Sequence, residues 1–474
     1  MLNLGPMAKA ISSAQPSPPV TRAPEITSFP NAVRYLYEQV NFERMRMVRF
    51  DESMFKLDRT RRLLKALGNP QEQVKTVHIA GTVGKGSTAA MIAAMLQGCG
   101  YGTGLYTSPH IVDVRERIAI NGQPIGKGEF TELTREVAAA AAGLQSPPTF
   151  FELLTAMAFK HFADEVVDIA VIETGLGGRL DSTNVITPEV SVITQIDYDH
   201  THILGRSLAE IAREKAGIFK RRVPAITCEQ APEVEAALKE AAEKLSVPLR
   251  IVNKDIEFSC RFGASEALGP HTRVCLLTET SQFMHLPVPL PGEHQAINCA
   301  LALAAIDVLK ASGFNFPEVA MNNGLASTRT PGRMELVWKQ PRILVDGAHN
   351  PCAVRALMRC VGAYLPYDSM ICIFGCCEDK DIPQMLDRLA LGGDKVIFTR
   401  ARGVARAAEP EELHRIFSEQ SGKMSQVAPT LGEALDLAIR AVGRDDLICI
   451  TGSFYLVGEA KKHLDQVAKR RAQV

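Results

Sequence analysis

A glycine-rich segment, GTVGKGST (81–88), carries the residue types that point most directly to chemistry. It follows an apolar, β-branched stretch and precedes a helical pattern, which is the strand–turn–helix context of phosphate-binding loops. Backbone N–H groups of such a loop, together with the positive end of the helix, favour a phosphate. Lys85 would contact the outer phosphates, and Ser87 and Thr88 add hydroxyl groups. Because Gly86 separates the lysine from the serine, the spacing is not the strict GxxxxGK[ST], and a tight turn without a ligand is the alternative.

Two further segments begin where predicted strands end, and they hold candidate metal ligands. ETGLGGRLDSTN (173–184) starts with Glu173, whose carboxylate suits a hard cation. DYDHTHILG (197–205) follows the next predicted strand and contains Asp197, Asp199, His200 and His202. Ends of neighbouring parallel strands converge, so a shared metal site is one interpretation. A carboxylate that caps a local turn and a structural histidine remain the alternatives.

Weaker candidates lie further along the chain, in segments that open helices or follow strands: Lys215, Gln295, Asn298, Arg333, Asp346 and His349. The lysine has an ordinary exposed helix position as its alternative. The two amide side chains are spaced to share a helix face, where they could read an adenine edge or simply cap the helix. The arginine suits a phosphate, and the aspartate suits a pair of ribose hydroxyls.

Regular secondary structure must hold these side chains in place. The sequence shows two series in which apolar, strand-like segments alternate with helical patterns. This alternation predicts parallel sheets with covering helices. We therefore expect an α/β protein with two mostly parallel sheets, one in each series. The Pro-Gly pair in TRTPGR (328–333) marks the boundary, which gives domains at 31–328 and 329–474. Residues 1–30, with six prolines, are predicted to be a disordered tail.

Composition restricts the class of protein. The 474 residues carry 53 basic and 53 acidic side chains, and this balance argues against general nucleic-acid binding. No apolar run is long enough to predict a membrane span. The 11 cysteines form no CxxC pair and favour buried thiols in a reducing cytoplasm over a disulfide framework. The tail lacks the apolar core of a secretory signal, while organellar targeting stays open.

Taken together, the ordered motifs resemble the folylpolyglutamate synthase and dihydrofolate synthase family of the Mur ligase superfamily. The resemblance covers roughly residues 40 to 460. It is carried by GTVGKGST, TSPH (107–110), TFFE (149–152), ETGLGGRLDSTN, DHTHILG, EKAGI, GEHQAIN, PGRMEL, DGAHNP, DKDI (379–382) and GSFYLVGE (452–459). It implies a P-loop-type, mostly parallel N-terminal ATPase domain at 31–328, which is the central ATP-binding domain of the family, and a smaller, Rossmann-like α/β C-terminal glutamate ligase domain at 329–474.

The resemblance also implies roles for individual residues. ATP would be held by Thr82, Val83, Gly84, Lys85, Gly86, Ser87, Asn298, Arg333 and Asp346, with His349 beside them. Magnesium, as two ions, would be held by Ser108, Glu173 and His200. A pterin pocket would be lined by Thr107, Thr149, Phe151 and Asp181. The expected catalytic residues are Lys85, His200 and Lys215, the last matching a carbamylated lysine.

One position departs from the family pattern. Val83 stands where the family usually has asparagine or lysine, which puts a side-chain contact to phosphate in doubt but spares a backbone contact.

The implied reaction is ATP-dependent joining of L-glutamate to dihydropteroate or to a reduced folate, through an acyl phosphate. The sequence leaves open which of the two substrates is accepted, or whether both are. A Mur-type ligase acting on a peptidoglycan precursor and a nucleotide-binding regulator that ligates nothing are the alternatives. We expect a cytoplasmic monomer with small-molecule substrates and neither nucleic-acid nor membrane partners.

Overall fold

The computed structural model describes residues 25–43 and 57–472. Its helices are α1 (Phe29–Glu38), α2 (Leu57–Ala66), α3 (Lys85–Gly98), α4 (Lys127–Ala142), α5 (Phe150–Asp164), α6 (Thr201–Leu204), α7 (Leu208–Ala216), α8 (Pro232–Leu245), α9 (Glu293–Ala311), α10 (Glu318–Ala326), α11 (Pro351–Tyr364), α12 (Ile382–Leu389), α13 (Pro410–Gln420), α14 (Leu431–Ala441) and α15 (Phe454–Ala472). Its strands are β1 (Thr76–Ala80), β2 (Thr103–Tyr106), β3 (Ile118–Ile120), β4 (Gln123–Pro124), β5 (Ile169–Glu173), β6 (Val190–Ile193), β7 (Ala225–Cys228), β8 (Leu249–Val252), β9 (Glu257–Ser265), β10 (Gly269–Leu277), β11 (Gln282–Pro287), β12 (Glu335–Lys339), β13 (Arg342–Val345), β14 (Met370–Phe374), β15 (Lys395–Phe398), β16 (Met424–Val427) and β17 (Leu447–Thr451).

The N-terminal part is built on an eight-stranded sheet in the order β4-β3-β2-β5-β1-β6-β7-β8. Strand β1 pairs in parallel with both β5 and β6, so Ile79 lies beside Glu173 on one side and Val192 on the other. Every residue of β1 and β5 is buried, as expected of central strands covered on both faces. Only β3 and β4, at one edge, run antiparallel to their neighbours. The carboxyl ends of β1, β5 and β6 therefore lie next to one another.

Helices cover both faces of this sheet. On one face, α3 and the long α9 pack against the strands, and α9 is buried along most of its length. Helix α10 packs closely on α3, because a Cβ on Gly324 would lie only 2.4 Å from the Ala94 carbonyl oxygen. On the other face, α1, α4 and α5 form a second apolar core. This packing fixes the first turn of α3 at the edge of the sheet where the glycine-rich segment ends.

The C-terminal part has its own six-stranded sheet, in the order β12-β13-β17-β14-β15-β16. Only β12 is antiparallel to its neighbour. One face packs on α11, α12 and α13, and the other packs on α14 and α15, which gives two apolar cores. A smaller antiparallel sheet, β11-β10-β9, precedes α9 and was not predicted from the sequence.

The expected fold class is confirmed: a mostly parallel N-terminal sheet and a separate, smaller α/β C-terminal unit. The boundary at 328/329 stays a prediction; it falls between the end of α10 and the start of β12. The predicted end of the tail at residue 30 is wrong. Ile26 is buried, its carbonyl oxygen accepts a hydrogen bond from Arg135 Nε at 3.0 Å, and the Phe29 ring packs edge-on against Phe130. Residues 1–24 of that predicted tail lie outside the described residues.

Across the two described ranges, no helix is both long enough and apolar enough to cross a membrane.

Candidate active site

A cavity of about 400 Å³ opens where the carboxyl ends of the N-terminal strands face the C-terminal unit. Its lining includes the glycine-rich segment after β1, the end of β5, the loop after β6 and the start of α9. The C-terminal unit contributes the loops after β13, β14 and β17. Ligands of open α/β sheets bind at this edge, where loops diverge from the strand ends. Of the candidate residues named from the sequence, Thr88, Thr107 and Asp197 lie outside the lining of the cavity, and the others line it.

The glycine-rich segment turns sharply between β1 and α3. Gly84 caps the helix with φ of 92°, in the left-handed region that favours glycine. A Cβ on Gly84 would lie 2.2 Å from Asn298 Oδ1, so a side chain there would displace the Asn298 side chain. Lys85 Nζ donates to the Gly81 carbonyl oxygen at 3.2 Å. The first turn of α3 presents N–H groups without partners inside the helix, which is the arrangement that binds anions.

Thr82 and Val83, which precede Gly84, are hydrogen-bonded to the loop after β6. The N–H groups of Thr82 and Val83 both donate to the Gln195 carbonyl oxygen, at 2.9 and 3.2 Å. The Thr82 hydroxyl also donates to the Asp197 carbonyl oxygen at 3.0 Å. The Val83 backbone amide is thus already engaged within the protein. Because these backbone hydrogen bonds hold the loop, its path does not depend on the Val83 side chain.

Two hydroxyl groups in the first turn of α3 are buried without a hydrogen-bond partner. They belong to Ser87, which is 1% exposed, and Thr88, which has no exposure. Buried polar groups of native proteins are nearly always hydrogen-bonded. An unpaired serine hydroxyl on the cavity wall is therefore available to a ligand, such as a metal ion or a phosphate oxygen.

Glu173 ends β5 beside the glycine-rich segment and is almost completely buried. Burial raises the pKa of its carboxyl group, although the charges of Lys85 and Arg333 oppose the rise. One carboxylate oxygen accepts from the Ser108 backbone N–H at 3.1 Å. A Cβ on Gly86 would lie 3.4 Å from Glu173 Oε2 and 3.3 Å from Arg333 Nη2. The unusual glycine after Lys85 thus leaves room for the carboxylate and the guanidinium to approach the loop together.

Asp199 is the centre of a charged cluster that joins the two parts of the chain. Its Oδ1 accepts from Lys380 Nζ at 2.6 Å, and both side chains are buried. His200 Nε2 and His349 Nε2 each lie 3.8 Å from one of its carboxylate oxygens. Burial alone would raise the pKa of Asp199, but the charges of His200, Lys380 and His349 hold it well below its usual range. The carboxylate is therefore ionised throughout the neutral pH range.

Both histidines of this cluster are neutral near pH 7. Burial lowers the pKa of His200, and burial together with the charge of Lys380 lowers that of His349 to about 4. His349 Nδ1 lies 2.7 Å from the Gly347 carbonyl oxygen. That oxygen can only accept, so Nδ1 carries the proton and Nε2 presents a lone pair to the cavity. Neutral imidazole is the form that ligates a metal ion.

Lys215 is not the exposed helix lysine of the alternative interpretation. It lies on α7, is 4% exposed, and donates from Nζ to the Gly81 carbonyl oxygen at 2.6 Å. Burial, with a further contribution from the charge of Lys85, lowers its pKa to about 7. An appreciable fraction of the side chain is therefore uncharged, nucleophilic amine at neutral pH.

The predicted pair of amides lies on one face of α9. Asn298 Nδ2 donates to Gln295 Oε1 at 2.9 Å, and both side chains are buried. In the C-terminal unit, the Arg333 guanidinium lies 5.1 Å above the Phe454 ring. Asp346 accepts from the backbone N–H groups of Met334 and Ala348, at 2.9 and 2.8 Å. Burial raises its pKa.

Of the four residues predicted to line the pterin pocket, three lie on the cavity wall and one does not. Thr149 caps α5, and Phe151 packs so closely that a Cβ on Gly175 would lie 2.4 Å from the ring. Asp181 lines the cavity, but its oxygens accept from the N–H groups of Leu176 (2.8 Å) and Thr183 (3.0 Å). This carboxylate therefore also holds its own loop together. Thr107 lies outside the cavity lining; its neighbour Ser108 reaches it instead.

Several lining residues were not among the predicted sites. Among them are Val40, Asn41, Phe42, Glu43, Arg59, Lys380, Arg406 and Tyr455. Two of them stand in segments already noted, Lys380 in DKDI and Tyr455 in GSFYLVGE. In the described residues, no group of three or more histidine, cysteine, aspartate or glutamate side chains is arranged to hold a metal ion. A metal at this site would thus need ligands from hydroxyl groups, water or substrate.

Comparisons with known proteins agree with this geometry. The Mur ligase middle domain family matches residues 79–306, and the Mur ligase glutamate ligase domain family matches residues 332–454. The dihydrofolate synthase/folylpolyglutamate synthase of Bacillus subtilis is 34% identical over 414 residues, covering 86% of this chain and 94% of that protein. The chain belongs to the folylpolyglutamate synthase/dihydrofolate synthase family.

Solved structures of the family superpose on nearly the whole chain. Mycobacterium tuberculosis folylpolyglutamate synthase complexed with ADP has a TM-score of 0.83 and 32% identity, covering 92% of this chain and 97% of that one. Escherichia coli FolC in complex with DHPP and ADP has a TM-score of 0.80 and 28% identity, covering 96% and 100%. The family resemblance predicted from the ordered motifs is therefore confirmed.

Proposed function

We propose that the chain is an ATP-dependent ligase that joins L-glutamate to the carboxylate of dihydropteroate, of a reduced folate, or of both. The observation that carries the proposal is the cavity itself. One wall holds a glycine loop, an unpaired Ser87 hydroxyl and buried Glu173, and the opposite wall holds the cations Arg333 and Lys380. Relatives named for these two activities, and a neighbour whose title names ADP and DHPP, support the assignment.

For ATP, the first turn of α3 would hold the phosphates through backbone N–H groups and the Lys85 ammonium. Arg333, which approaches Gly86 from the second unit, would bind the transferred phosphoryl group. Asn298 would read the adenine edge, and Asp346, close to His349, would accept from the ribose hydroxyls. The remaining loop positions, Thr82 to Ser87, would shape the turn around the phosphate chain.

The residues present fit Mg²⁺. This ion is usually bound by one or two carboxylates together with phosphate oxygens and water. The buried Glu173 carboxylate and the unpaired Ser87 hydroxyl suit such a site, and neutral His200 can add a nitrogen ligand. Ser108 is close enough to donate its N–H to Glu173, and it adds a hydroxyl group. When bound, magnesium supplies neutralisation of phosphate charge; that two ions bind is part of the proposal.

Lys215 would carry a carbamate. A neutral amine attacks CO₂, a C–N bond forms and one proton is released, so a lysine with a pKa near 7 is suited to the reaction. The product replaces a cation by an anion in a site where Lys85 already supplies positive charge. This change of sign would help to hold the second metal ion.

The ligation itself then requires little covalent chemistry from the protein. The substrate carboxylate attacks the γ-phosphorus of ATP, and ADP leaves, which gives an acyl phosphate. The α-amine of glutamate attacks the acyl carbon, an amide bond forms, the nitrogen loses a proton and inorganic phosphate leaves. The work of Lys85 and Arg333 is to hold the phosphoryl oxygens in line and to balance their charge. A cavity walled by both units would limit the access of water to the acyl phosphate.

The heterocycle of the first substrate would lie against Phe151, whose ring suits stacking on a flat heterocycle. Thr149, Thr107 and Asp181 would border the same pocket. Glutamate brings two carboxylates, and Lys380 and Arg406 are buried cations on the wall of the second unit. We further propose a cytoplasmic monomer whose partners are these small molecules, without nucleic acid or membrane.

ADP release, measured with dihydropteroate and tetrahydrofolate in parallel, tests the function. We expect release that requires both glutamate and one of the two carboxylates. Release that is independent of glutamate would favour a nucleotide-binding regulator. Activity with a peptidoglycan precursor and none with either pteroyl substrate would favour the other Mur-type reaction. Each of these two results overturns the proposal.

A further inference from the structure

A buried arginine fixes part of the wall of the substrate cavity. The Arg117 side chain has no exposure, and its Nη1 and Nη2 donate to the two carboxylate oxygens of Glu43, at 2.8 and 2.6 Å. A buried guanidinium without its partner would be strongly destabilising. The bidentate pair therefore holds Glu43, and the chain just before it, in one place.

The third donor of this arginine extends the network. Arg117 Nε donates to His110 Nδ1 at 2.8 Å. Because a guanidinium can only donate, Nδ1 of the neutral ring must accept, and the Nε2 proton points to Tyr37 Oη at 3.0 Å. Tyr37 in turn stacks on Phe150, with ring centroids 5.0 Å apart. Phe150 is adjacent to Phe151, the residue proposed to stack on the heterocycle.

The anchored segment belongs to the same cavity. Residues 40–43 line it together with Thr149 and Phe151. The Glu43 carbonyl oxygen accepts from Tyr455 Oη at 2.8 Å, although the two residues lie 412 positions apart. Tyr455 stands at the start of α15, in the C-terminal unit, and its ring lies 6.0 Å from the Arg406 guanidinium. This hydrogen bond thus joins the wall of the pteroyl pocket to the unit that faces it.

We propose that Tyr455 is a positioning residue that couples occupancy of the pteroyl pocket to docking of the C-terminal unit. The inference rests on the proposed function, because it takes residues 40–43 to border the pteroyl substrate. A substrate that orders this segment places the Glu43 carbonyl oxygen for Tyr455. A docked C-terminal unit orders the segment for the substrate in return, since such coupling is reciprocal. Burial raises the pKa of the Tyr455 hydroxyl to about 12, so it remains a donor at neutral pH.

The variant Tyr455→Phe tests the coupling, because it removes the hydroxyl that donates to Glu43 and keeps the ring beside Arg406, although it also removes the hydrogen bond between that hydroxyl and Arg406. Tyr364→Phe is the matched control. Its hydroxyl also bonds across the two parts of the chain, to Thr272 Oγ1 at 2.6 Å, but neither residue lines the cavity. Binding of dihydropteroate in the presence of ADP is measured by calorimetry, which requires no turnover. Thermal unfolding confirms that both variants fold.

We expect Tyr455→Phe to weaken dihydropteroate binding about five-fold, the usual effect of one neutral hydrogen bond, and Tyr364→Phe to leave it unchanged. In steady-state assays the KM for the pteroyl substrate should rise while the KM for ATP and kcat stay within about two-fold. Equal dihydropteroate affinity in the wild type and Tyr455→Phe would overturn the coupling. So would a loss of kcat with unchanged KM.

Failure of the coupling can be told apart from failure of the proposed function. A wild-type protein that binds dihydropteroate but shows no glutamate-dependent ADP release would remove the ligase function, while the five-fold difference would still support the coupling. A wild-type protein that ligates, with both variants matching it, would remove the coupling alone. Absence of dihydropteroate binding in the wild type would overturn both.

Discussion

Replacing Lys380 by methionine probes the buried ion pair that joins the two units. The substitution removes the ammonium but keeps a side chain of similar length. Lys380 Nζ lies 2.6 Å from Asp199 Oδ1, and the two side chains are only 6% and 9% exposed. Without the lysine, Asp199 keeps a buried negative charge that the His200 backbone N–H contacts at 2.9 Å, with the imidazoles of His200 and His349 at 3.8 Å.

The expected loss of unfolding free energy follows from the burial of the ion pair and from the two neighbouring imidazoles. Removing one partner of a buried pair costs about 3–5 kcal/mol. In the wild type, burial and then the charge of Lys380 lower the pKa of His349 to about 4. Without Lys380, burial still lowers the folded-state pKa of the neighbouring imidazoles, but Asp199 should raise it back toward the unfolded value of about 6.5. A histidine pKa that is lower in the folded state costs stability as the pH falls below about 6.5, so the variant, with a smaller lowering, loses less stability in this way at pH 6 than the wild type does.

We therefore expect Lys380→Met to lose about 3 kcal/mol of unfolding free energy at pH 8 and about 1–2 kcal/mol less than that at pH 6. Urea unfolding at the two pH values measures this loss. The double variant with Asp199→Asn should recover part of the loss, because no unpaired buried charge remains. Lys461→Met is the control: its pair with Glu335 has the same 2.6 Å distance but is 19% and 33% exposed, so the loss should stay near 1 kcal/mol.

Two results would refute this reasoning. A loss at pH 8 no larger than that of the control would mean that Asp199 does not need its partner. Separation of the two units would also solvate Asp199, so small-angle scattering is measured on the same samples, and an unchanged profile excludes that route. A large loss that is equal at pH 6 and pH 8 would refute the proton uptake by the histidines.

Three other predictions concern the proposed reaction. Lys85→Ala should lower glutamate-dependent ADP release more than 100-fold, whereas the control Lys75→Ala, outside the cavity, should leave it unchanged. Near-normal turnover of Lys85→Ala would refute the phosphate role. Lys215 should show the mass increment of one CO₂ under gentle conditions, and its occupancy should fall as the pH drops below the lysine pKa of about 7, because only the neutral amine reacts. Lys215→Ala should be nearly inactive and partly rescued by short carboxylates; full activity without them would exclude the carbamate role. Phe151→Ala should raise the KM for the pteroyl substrate about ten-fold and leave that for ATP unchanged, and an equal rise in both would argue against stacking.

The parts of the site that could be predicted from the sequence are those whose position follows from the residue pattern of a single segment. Glu173 and the glycine loop each follow an apolar strand, and parallel strands bring their carboxyl ends to one edge. The position of both at the cavity therefore follows from the order of the elements. Gln295 and Asn298 were expected on one helix face because of their spacing, and α9 places them there.

The contacts that could not be predicted depend on tertiary packing over long separations. Lys380 and Asp199 are 181 positions apart, and nothing local to either segment signals that they pair. Burial, which gives Lys215 its lowered pKa, is likewise a property of the assembled fold rather than of α7. Ile26 shows a prediction that failed in the other direction, because the chain is ordered where its composition predicts disorder. A proline-rich composition predicts a tail, yet one buried apolar side chain and one hydrogen bond from the Arg135 side chain to the Ile26 carbonyl oxygen fix the chain on α4.

The hydrogen bond between Glu43 and Tyr455 has a consequence for the order of assembly. It joins segments near opposite ends of the chain, with 412 positions between them. During synthesis the N-terminal region emerges first and domains generally fold as units. The β1 loop and its helix can therefore form early, whereas the cavity closes only after α15 has left the ribosome. A nascent chain, or one truncated before α15, would display a phosphate loop without the wall that completes the site, and the finished cavity reports that α15 has been made.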